Sequence, residues 1–160
     1  CHLSAGDLLR AERASGSPDA DLINNYIKEG KIVPVEITVK LLLNAMKASP
    51  TKKFLIDGFP RSDNNYQGWC NVVGDQAEVL FCLFFDCPEE ELERRLLDRG
   101  KSSGRDDDNI ESIRKRFKTF VEETMPVVEI FKGKGALKHI SSVKTKDEVW
   151  GEVKTLFSTL

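Results

Sequence analysis

An acidic residue, a glycine, a proline and an arginine end an apolar stretch in the segment FLIDGFPR, residues 54–61. Asp57 directly follows Phe-Leu-Ile, a run that predicts a buried strand. A carboxylate at this position can hold Mg²⁺ through its water shell. Gly58 permits a sharp turn, and Pro60 fixes the chain direction before Arg61. Because a guanidinium binds phosphate bidentately, the segment predicts a phosphate site rather than a strand end with a solvated arginine.

A second candidate lies in the polar segment GKSSGRDDDN, residues 100–109, which we expect to be a mobile loop. Arg105 follows a glycine there and precedes three aspartates, a pattern that by itself is typical of a solvated charge run. Arg99 lies six residues before Arg105. Arg116 lies eleven residues after it, beside the apolar face of the next helix, where an arginine needs an anionic partner. Three arginines around such a loop predict a lid over phosphate groups.

Two further segments carry weaker signals. In SAGDLLR, residues 4–10, Arg10 lies one helical turn after an aspartate, and a surface arginine is the more common interpretation. In EGKIVP, residues 29–34, a glycine followed by a proline is typical of a helix end and a loop. Neither segment predicts a site by itself.

The elements that must position these residues alternate along the chain. Apolar runs predict four strands, at residues 1–3, 53–57, 79–86 and 137–141. The run at 79–86 is almost continuously apolar, which predicts a parallel strand covered on both faces. Apolar residues recur at helical spacing between them, and Pro88 with three glutamates begins a helix that we expect to end near Gly100. The alternation predicts an α/β domain with a mostly parallel sheet. Ligands of such sheets bind beyond the carboxyl ends of the strands, where Asp57 lies.

Composition excludes several classes of protein. The chain has 160 residues, 40% of them hydrophobic, which suits one domain with a substantial core. A formal net charge of −2 argues against nucleic acid or an anionic membrane as partner. No apolar stretch reaches the roughly 18 residues of a membrane span. The four cysteines form no CxxC pair, which favours a reducing cytoplasmic location, with additional presence in the nucleus left open.

Taken together, HLSAGDLLR, EGKIVPVEIT, FLIDGFPR, GWC and RGKSSGRDDDN resemble the adenylate kinase-like nucleoside monophosphate kinases, and among them the eukaryotic UMP–CMP kinase group. The resemblance extends over essentially the whole chain. It implies one domain, 1–160, with a P-loop NTPase-like parallel sheet flanked by helices, a nucleotide-binding region at 4–34 and a lid at 99–109. It also implies transfer of the γ-phosphoryl group of ATP, with Mg²⁺, to UMP, CMP or dCMP by a monomer.

The resemblance assigns residues to the acceptor nucleotide. They are Ser4, Gly6, Arg10, Lys31, Ile32, Val33, Gly58, Phe59, Pro60, Arg61 and Asn65. Arg10 and Arg61 would bind the acceptor phosphate, and residues 31–33 would line the base and ribose. Asn65 matches the position that reads the base, where adenylate kinases usually carry glutamine. It therefore favours a pyrimidine, to which a carboxamide offers both a donor and an acceptor.

The donor side is assigned in the same way. Arg99 would lie on ATP, and the backbone carbonyl of Lys144 would meet the adenine. Arg105 and Arg116 match the pair that clamps the transferring phosphoryl group. Phosphoryl transfer requires positioned cations and exclusion of water rather than an acid–base pair, which agrees with a site made of arginines.

Three aspartates complete the assignment. Asp107 and Asp108 match acids that help the lid to close. Asp57 would hold Mg²⁺ through water. Neither histidine of the chain has a spaced partner, so none is included.

The sequence departs from the family at one large feature. A glycine-rich phosphate loop with a lysine normally precedes the HLSAG segment by one strand and one helix, and no such motif occurs here. Residue 1 is Cys rather than Met, so we expect about thirty further residues ahead of it in the natural protein. In the family the missing strand lies between those matching residues 53–57 and 79–86. We therefore expect a gap in the centre of the sheet.

Two alternatives stay open. One is an adenylate kinase, which Asn65 disfavours and which a comparison of UMP, CMP and AMP as acceptors would test. The other is a nucleotide-binding fragment without catalysis. The absent phosphate loop favours that alternative, and the intact acceptor and lid motifs disfavour it.

Overall fold

The computed structural model describes residues 1–105 and 107–159; Asp106, in the middle of the predicted lid, and Leu160 lie outside the described residues. The elements are β1 (His2–Ser4), α1 (Ala5–Ala14), α2 (Ala20–Lys28), α3 (Val35–Ala48), β2 (Leu55–Asp57), α4 (Asp63–Val72), β3 (Cys82–Asp86), α5 (Glu89–Ser103), α6 (Ile110–Thr119), α7 (Met125–Gly133), β4 (Leu137–Ser141) and α8 (Lys146–Phe157). A 3₁₀ turn (Gly74–Gln76) follows α4, and a π-helical segment (Phe120–Thr124) joins α6 to α7. The α/β class is confirmed.

The strands form two separate parallel pairs. β1 pairs with β2, with Ser4 opposite Asp57, and β3 pairs with β4, with Asp86 opposite Ser141. β2 and β3 are not hydrogen-bonded to each other, so the gap expected in the centre of the sheet is present. The carboxyl ends of β1 and β2 lie side by side, and the chain leaves them into α1 and into the FPR turn.

The third strand is shorter and less covered than its apolar sequence predicts. It begins at Cys82 rather than at residue 79, because β4 offers hydrogen-bond partners to five residues, Cys82–Asp86. Val79 and Leu80 are 50% and 64% exposed. The expectation of a strand covered on both faces is wrong: Phe85 is 46% exposed, on a strand whose second edge faces the gap.

The main core lies between the first strand pair and helices α3 and α4. Its buried members are Leu3, Val35, Val39, Leu42, Trp69 and Val73. A second group is buried where α7 packs on β4, and it comprises Val127, Val128, Phe131 and Ile140. Helix α7 also contacts α4 and β3, so it connects the two strand pairs. No helix in the described part of the chain is both long and apolar enough to cross a membrane.

Helix ends follow local chemistry at two predicted positions. Ser4 accepts a hydrogen bond from the Asp7 N–H at 3.2 Å and thereby caps α1. Gly30 ends α2 with a φ of 65°. There the Lys31 N–H donates to the Tyr26 carbonyl at 2.9 Å, and the Gly30 N–H donates to that of Ile27 at 3.1 Å, the paired bonds of a glycine-terminated helix.

The end of α5 corrects the sequence prediction. The helix passes Gly100 and ends at Ser103, and Gly104, with a φ of 63°, is the terminating glycine. Residues 100–103 of the expected loop are therefore helical. Gly100 serves a different purpose, because a Cβ there would lie 2.6 Å from the carbonyl oxygen of Asp108. It lets the chain after the helix return close to the helix axis.

The segment before Pro126 also differs from its apolar periodicity. The pattern predicts a helix that ends before the proline, whereas the π-helical turn continues α6 into α7, with Pro126 in the first turn of α7. The extra residue of a π turn rotates the next part of the helix about its axis. Val121, which its spacing from Ile113 and Phe117 assigns to the apolar stripe, lies within the π segment and is 61% exposed.

Candidate functional site

Arg61 is folded back over the turn that precedes it. The strand β2 ends at Asp57, and Gly58 adopts a φ of 73°. The Nε of Arg61 donates to the Gly58 carbonyl at 2.7 Å. A Cβ on Gly58 would lie 2.7 Å from Nη2 of Arg61. Glycine is therefore required here both by its backbone conformation and by the arginine above it.

The backbone of Arg61 is held from two sides. Its N–H donates to Oδ1 of Asn65 at 3.2 Å, and its carbonyl accepts from the hydroxyl of Thr124 at 2.7 Å. Asn65 is only 3% exposed, and its own N–H donates to Ser62, the N-cap of α4. The carboxamide oxygen of Asn65 thus accepts a hydrogen bond from the loop of Arg61.

Asp7 joins the first helix to the loop after α5. It accepts a hydrogen bond from Arg10, one turn later, and lies 3.7 Å from Nη2 of Arg105. The hydrogen bond from Arg10 is the main cause that lowers the pKa of Asp7, with Ser4 and Arg105 contributing in the same direction. The structure therefore brings together Arg10 and Arg105, which lie 95 positions apart in the sequence.

Asp108 is the buried centre of a second set of contacts. Both its oxygens bind Arg99, at 2.8 and 2.5 Å, and the Ser103 hydroxyl donates to it at 2.8 Å. Its side chain is fully inaccessible to solvent. The bonds from Arg99 lower the pKa of Asp108, against the opposing effect of burial. Arg116 lies 3.9 Å from the same carboxylate and donates to Asp107 at 2.9 Å.

Four arginines assigned to phosphate lie near the carboxyl end of the first strand pair: Arg10, Arg61, Arg105 and Arg116. Neighbouring protein displaces water from the guanidinium of Arg61, although the residue as a whole stays exposed, and this desolvation lowers the pKa of Arg61. Repulsion from Arg116, and to a smaller extent from Arg10, adds to the effect, whereas the nearby carboxylates of Asp57 and Asp107 oppose it. The structure gives Arg61 no ion pair with a carboxylate among the described residues. Cations that repel one another at close range favour a multivalent anion between them.

The predicted base and ribose segment is attached to the same region through Gly30. The Thr119 hydroxyl on α6 donates to the Gly30 carbonyl at 3.1 Å. A Cβ on Gly30 would lie 3.3 Å from the backbone nitrogen of Arg116. Val33 is buried, whereas Lys31 is exposed and Ile32 is half-buried. Residues 31–33 directly follow Gly30 along the chain, and Gly30 contacts α6, the helix that carries Arg116.

One predicted residue, Lys144, lies apart from this cluster, and another, Asp57, lies at its edge, where its charge acts on Arg61. Lys144, the predicted adenine neighbour, binds Glu152 of α8. Asp57, the predicted Mg²⁺ contact, is exposed at the end of β2 and lies 3.8 Å from the ring of His2. Within residues 1–105 and 107–159, no three His, Cys, Asp or Glu side chains gather into a metal-binding group.

The sequence did not reveal three of the residues that organise the site. Asp7, whose spacing from Ser4 resembles a capping box at the start of α1, also binds two arginines. Thr119 and Thr124 carry no local signal, since each bonds a carbonyl more than 60 positions away. The interrupted apolar periodicity before Pro126 is the only sequence feature that points to their segment.

Comparisons with known proteins show which family the sequence resembles. A family model described as "Adenylate kinase" matches residues 1–136. "UMP-CMP kinase 3" of Arabidopsis thaliana is 54% identical over 157 residues, which cover 98% of this chain and 76% of that protein. "UMP-CMP kinase" of Mus musculus is 52% identical, and that of Homo sapiens 51% identical, each over 164 residues that cover 98% of this chain and 83% of the relative.

Proposed function

Because the chain belongs to the adenylate kinase family, we propose that it binds a pyrimidine nucleoside monophosphate, UMP or CMP, as the acceptor of a phosphoryl group from ATP. The observation that carries the proposal is Arg61. Its guanidinium lies at the carboxyl end of the first strand pair and forms no ion pair among the described residues, and Arg116 repels it more strongly than either Asp57 or Asp107 attracts it. The names and the 51–54% identity of the relatives support the pyrimidine substrate.

The arginines divide into two roles. Arg61 and Arg10 hold the phosphate of the acceptor, where a dianion would relieve their mutual repulsion. Arg105 and Arg116, which reach the same region from the segment after α5 and from α6, stabilise charge on the phosphoryl group as it moves. Arg99 lies on the donor and is held in place by Asp108. Preorganised cations of this kind stabilise a transition state without reorganising during the reaction.

Base selection falls to Asn65 and to residues 31–33. Asn65 donates through its amide group, since its oxygen holds Arg61. Cytosine and uracil both offer acceptors to such a donor. Lys144 would present its backbone carbonyl to the adenine of ATP.

Magnesium would enter with ATP and neutralise the charge of its phosphates. The ion binds mostly phosphate oxygens and water, with one or two carboxylates. A single exposed carboxylate at the end of β2, Asp57, fits contact through water. No larger protein cage is needed for an ion held in this way.

A second candidate is nucleotide binding without transfer. It is favoured by one observation, the absence from these 160 residues of a glycine-rich phosphate loop with a lysine. Such a loop supplies the backbone amides and the lysine that bind the β- and γ-phosphates. This second candidate predicts that the acceptor site binds UMP and CMP but that no diphosphate forms.

One set of measurements tests both candidates. Isothermal titration of the chain with UMP, CMP and AMP should show tighter binding of the two pyrimidine nucleotides. Arg61→Ala should raise the Kd for UMP about 10- to 100-fold, the range that a charge-assisted hydrogen bond of about 1.5–3 kcal/mol gives. Arg114→Ala, at an exposed position of α6, is the matched control. An unchanged Kd for the Arg61 variant would contradict the site, and formation of UDP from ATP and UMP separates transfer from binding alone.

A further inference from the structure

Thr124 ends the π-helical segment and binds the loop of Arg61. Its hydroxyl donates to the Arg61 carbonyl at 2.7 Å, across 63 positions of sequence. The π segment continues from α6, the helix that carries Arg116. This hydrogen bond therefore connects the segment that continues the helix of Arg116 to the backbone of Arg61.

Among the described helical threonines, Thr124 differs in that its hydroxyl bonds another segment without also bonding a carbonyl of its own helix. Threonine in a helix commonly donates to the carbonyl four residues earlier. Thr38 does so toward Pro34 and Thr155 toward Gly151, and Thr119 bonds Lys115 in this way in addition to Gly30. Thr124 reaches out of its helix instead. Because a π turn inserts an extra residue into the helix, the segment provides the change in register that aims this side chain.

The other anchors of Arg61 come from its own loop. Asn65 holds the N–H, and the Gly58 carbonyl holds Nε. These bonds fix the shape of the loop but not its position relative to α6. The bond from Thr124 is the anchor that relates Arg61 to the helix of Arg116.

We infer that Thr124 is a positioning residue for the acceptor site: its hydroxyl sets Arg61 at the distance from Arg116 at which both contact one phosphate group. This inference rests on the proposed function. Small displacements of a binding group weaken an oriented ionic contact strongly. Loss of the hydroxyl should therefore appear in acceptor affinity and in the mobility of the loop, with little change in overall stability, because the position is only half-buried.

Three variants test the inference. Thr124→Val removes the donor while keeping the branched shape, and Thr124→Ser restores the donor. Thr155→Val removes a hydroxyl that bonds within its own helix α8, and is the matched control. The full 160-residue chain is used for each, and thermal unfolding verifies that all remain folded.

Two measurements are made on each variant. In the absence of nucleotide, hydrogen exchange at the amides of residues 58–62 should be faster in Thr124→Val than in the wild type, Thr124→Ser and Thr155→Val. The Kd for UMP should rise about three- to tenfold in Thr124→Val alone, which is the net effect of one hydrogen bond. Exchange and affinity equal to the wild type in Thr124→Val would overturn the inference, as would a serine variant that restores neither.

The measurements separate this inference from the function on which it rests. If the wild type binds neither UMP nor CMP, the proposed function fails. The exchange rates then decide whether Thr124 positions the loop, because they require no ligand. If the wild type binds UMP and Thr124→Val binds it equally well, the function stands and the positioning role is wrong.

Discussion

The carboxylate of Asp7 lies 3.7 Å from the guanidinium of Arg105 and at the same time accepts a hydrogen bond from Arg10. An acid of the protein itself thus lies between two cations assigned to phosphate. An incoming phosphate competes with Asp7 for both of them. We expect Asp7 to orient the two arginines before the nucleotide binds. We also expect its negative charge to oppose the binding of the phosphate.

Asp7→Asn should therefore tighten the binding of UMP about threefold at low ionic strength, because the cations lose a competing charge. The gain should shrink as salt is added, since exposed charges are screened. Titration calorimetry at two salt concentrations measures both effects. Asp98→Asn is the control, because Asp98 pairs with Lys101 on the exposed side of α5. Weaker binding by the Asp7 variant would mean that orientation of Arg10 outweighs competition.

Asp108→Asn should lower stability at neutral pH by about 1–3 kcal/mol, because the Arg99 and Ser103 bonds to a fully buried carboxylate are weakened. The pKa of Asp108 is lowered in the folded chain. Its ionic contribution is therefore complete above the ordinary carboxyl pKa of 3.8 and is lost as the pH falls below that value.

Denaturant unfolding of the wild type and of Asp108→Asn between pH 3 and 7 measures this dependence. The difference between the two proteins should narrow below about pH 4. Asp75→Asn, at an exposed position of the 3₁₀ turn, should show a small difference at every pH. If the difference in unfolding free energy between the wild type and Asp108→Asn stays constant down to pH 3, the contribution of Asp108 comes from its shape and not from its charge.

Arg105→Ala should cost on the order of 10³ in kcat if the residue stabilises the transferring phosphoryl group, as arginines supplied to other phosphoryl-transfer sites do. The physical reason is that charge spreads onto the oxygens of that group only in the transition state. Steady-state kinetics with ATP and UMP, in a form of the protein that shows turnover, gives kcat and KM separately. Near-normal turnover with weak ATP binding would reassign Arg105 to the donor.

Asn65→Asp separates the two tasks of that side chain. An aspartate keeps the oxygen that accepts from the Arg61 N–H and loses the amide donors. We expect the loop to remain protected from hydrogen exchange and the preference for UMP over AMP to fall about tenfold or more, because a site that loses its hydrogen bond to a base loses discrimination. Competition binding with UMP and AMP measures the ratio. A preserved ratio would place base reading on the backbone of residues 31–33.

Local signals in the sequence were sufficient to predict features that depend on a few neighbouring residues, such as helix ends and turns. Gly30 was predicted to end α2, and it does so through two backbone bonds that only need a residue at positive φ. The turn from Asp57 to Arg61 was predicted in the same way. The missing hydrogen bonds between β2 and β3 were also expected, since the strand that the family places there has no counterpart in the sequence.

Tertiary contacts account for the features that the sequence did not show. Gly100 has the appearance of a helix end, yet its role is to admit the carbonyl of Asp108. That approach depends on the path of the chain after Ser103, which no local pattern encodes. The bonds of Thr119 and Thr124 likewise depend on how α6 lies against segments far away in sequence. The assignments of individual arginines to donor or acceptor remain predictions.

The division of the strands into two pairs also affects how the molecule opens. Each pair keeps its ladder of hydrogen bonds to itself. The two halves are joined by α7 packing on α4 and by side-chain contacts such as Thr124–Arg61, Thr119–Gly30 and Asp7–Arg105. Segments that do not share a ladder tend to open as separate cooperative units. Thermal denaturation of the free chain should then contain two events rather than one. A phosphate held between Arg61 on one half and Arg116 on the other would couple the unfolding of the two halves. The two unfolding events would then merge into one when the ligand is bound.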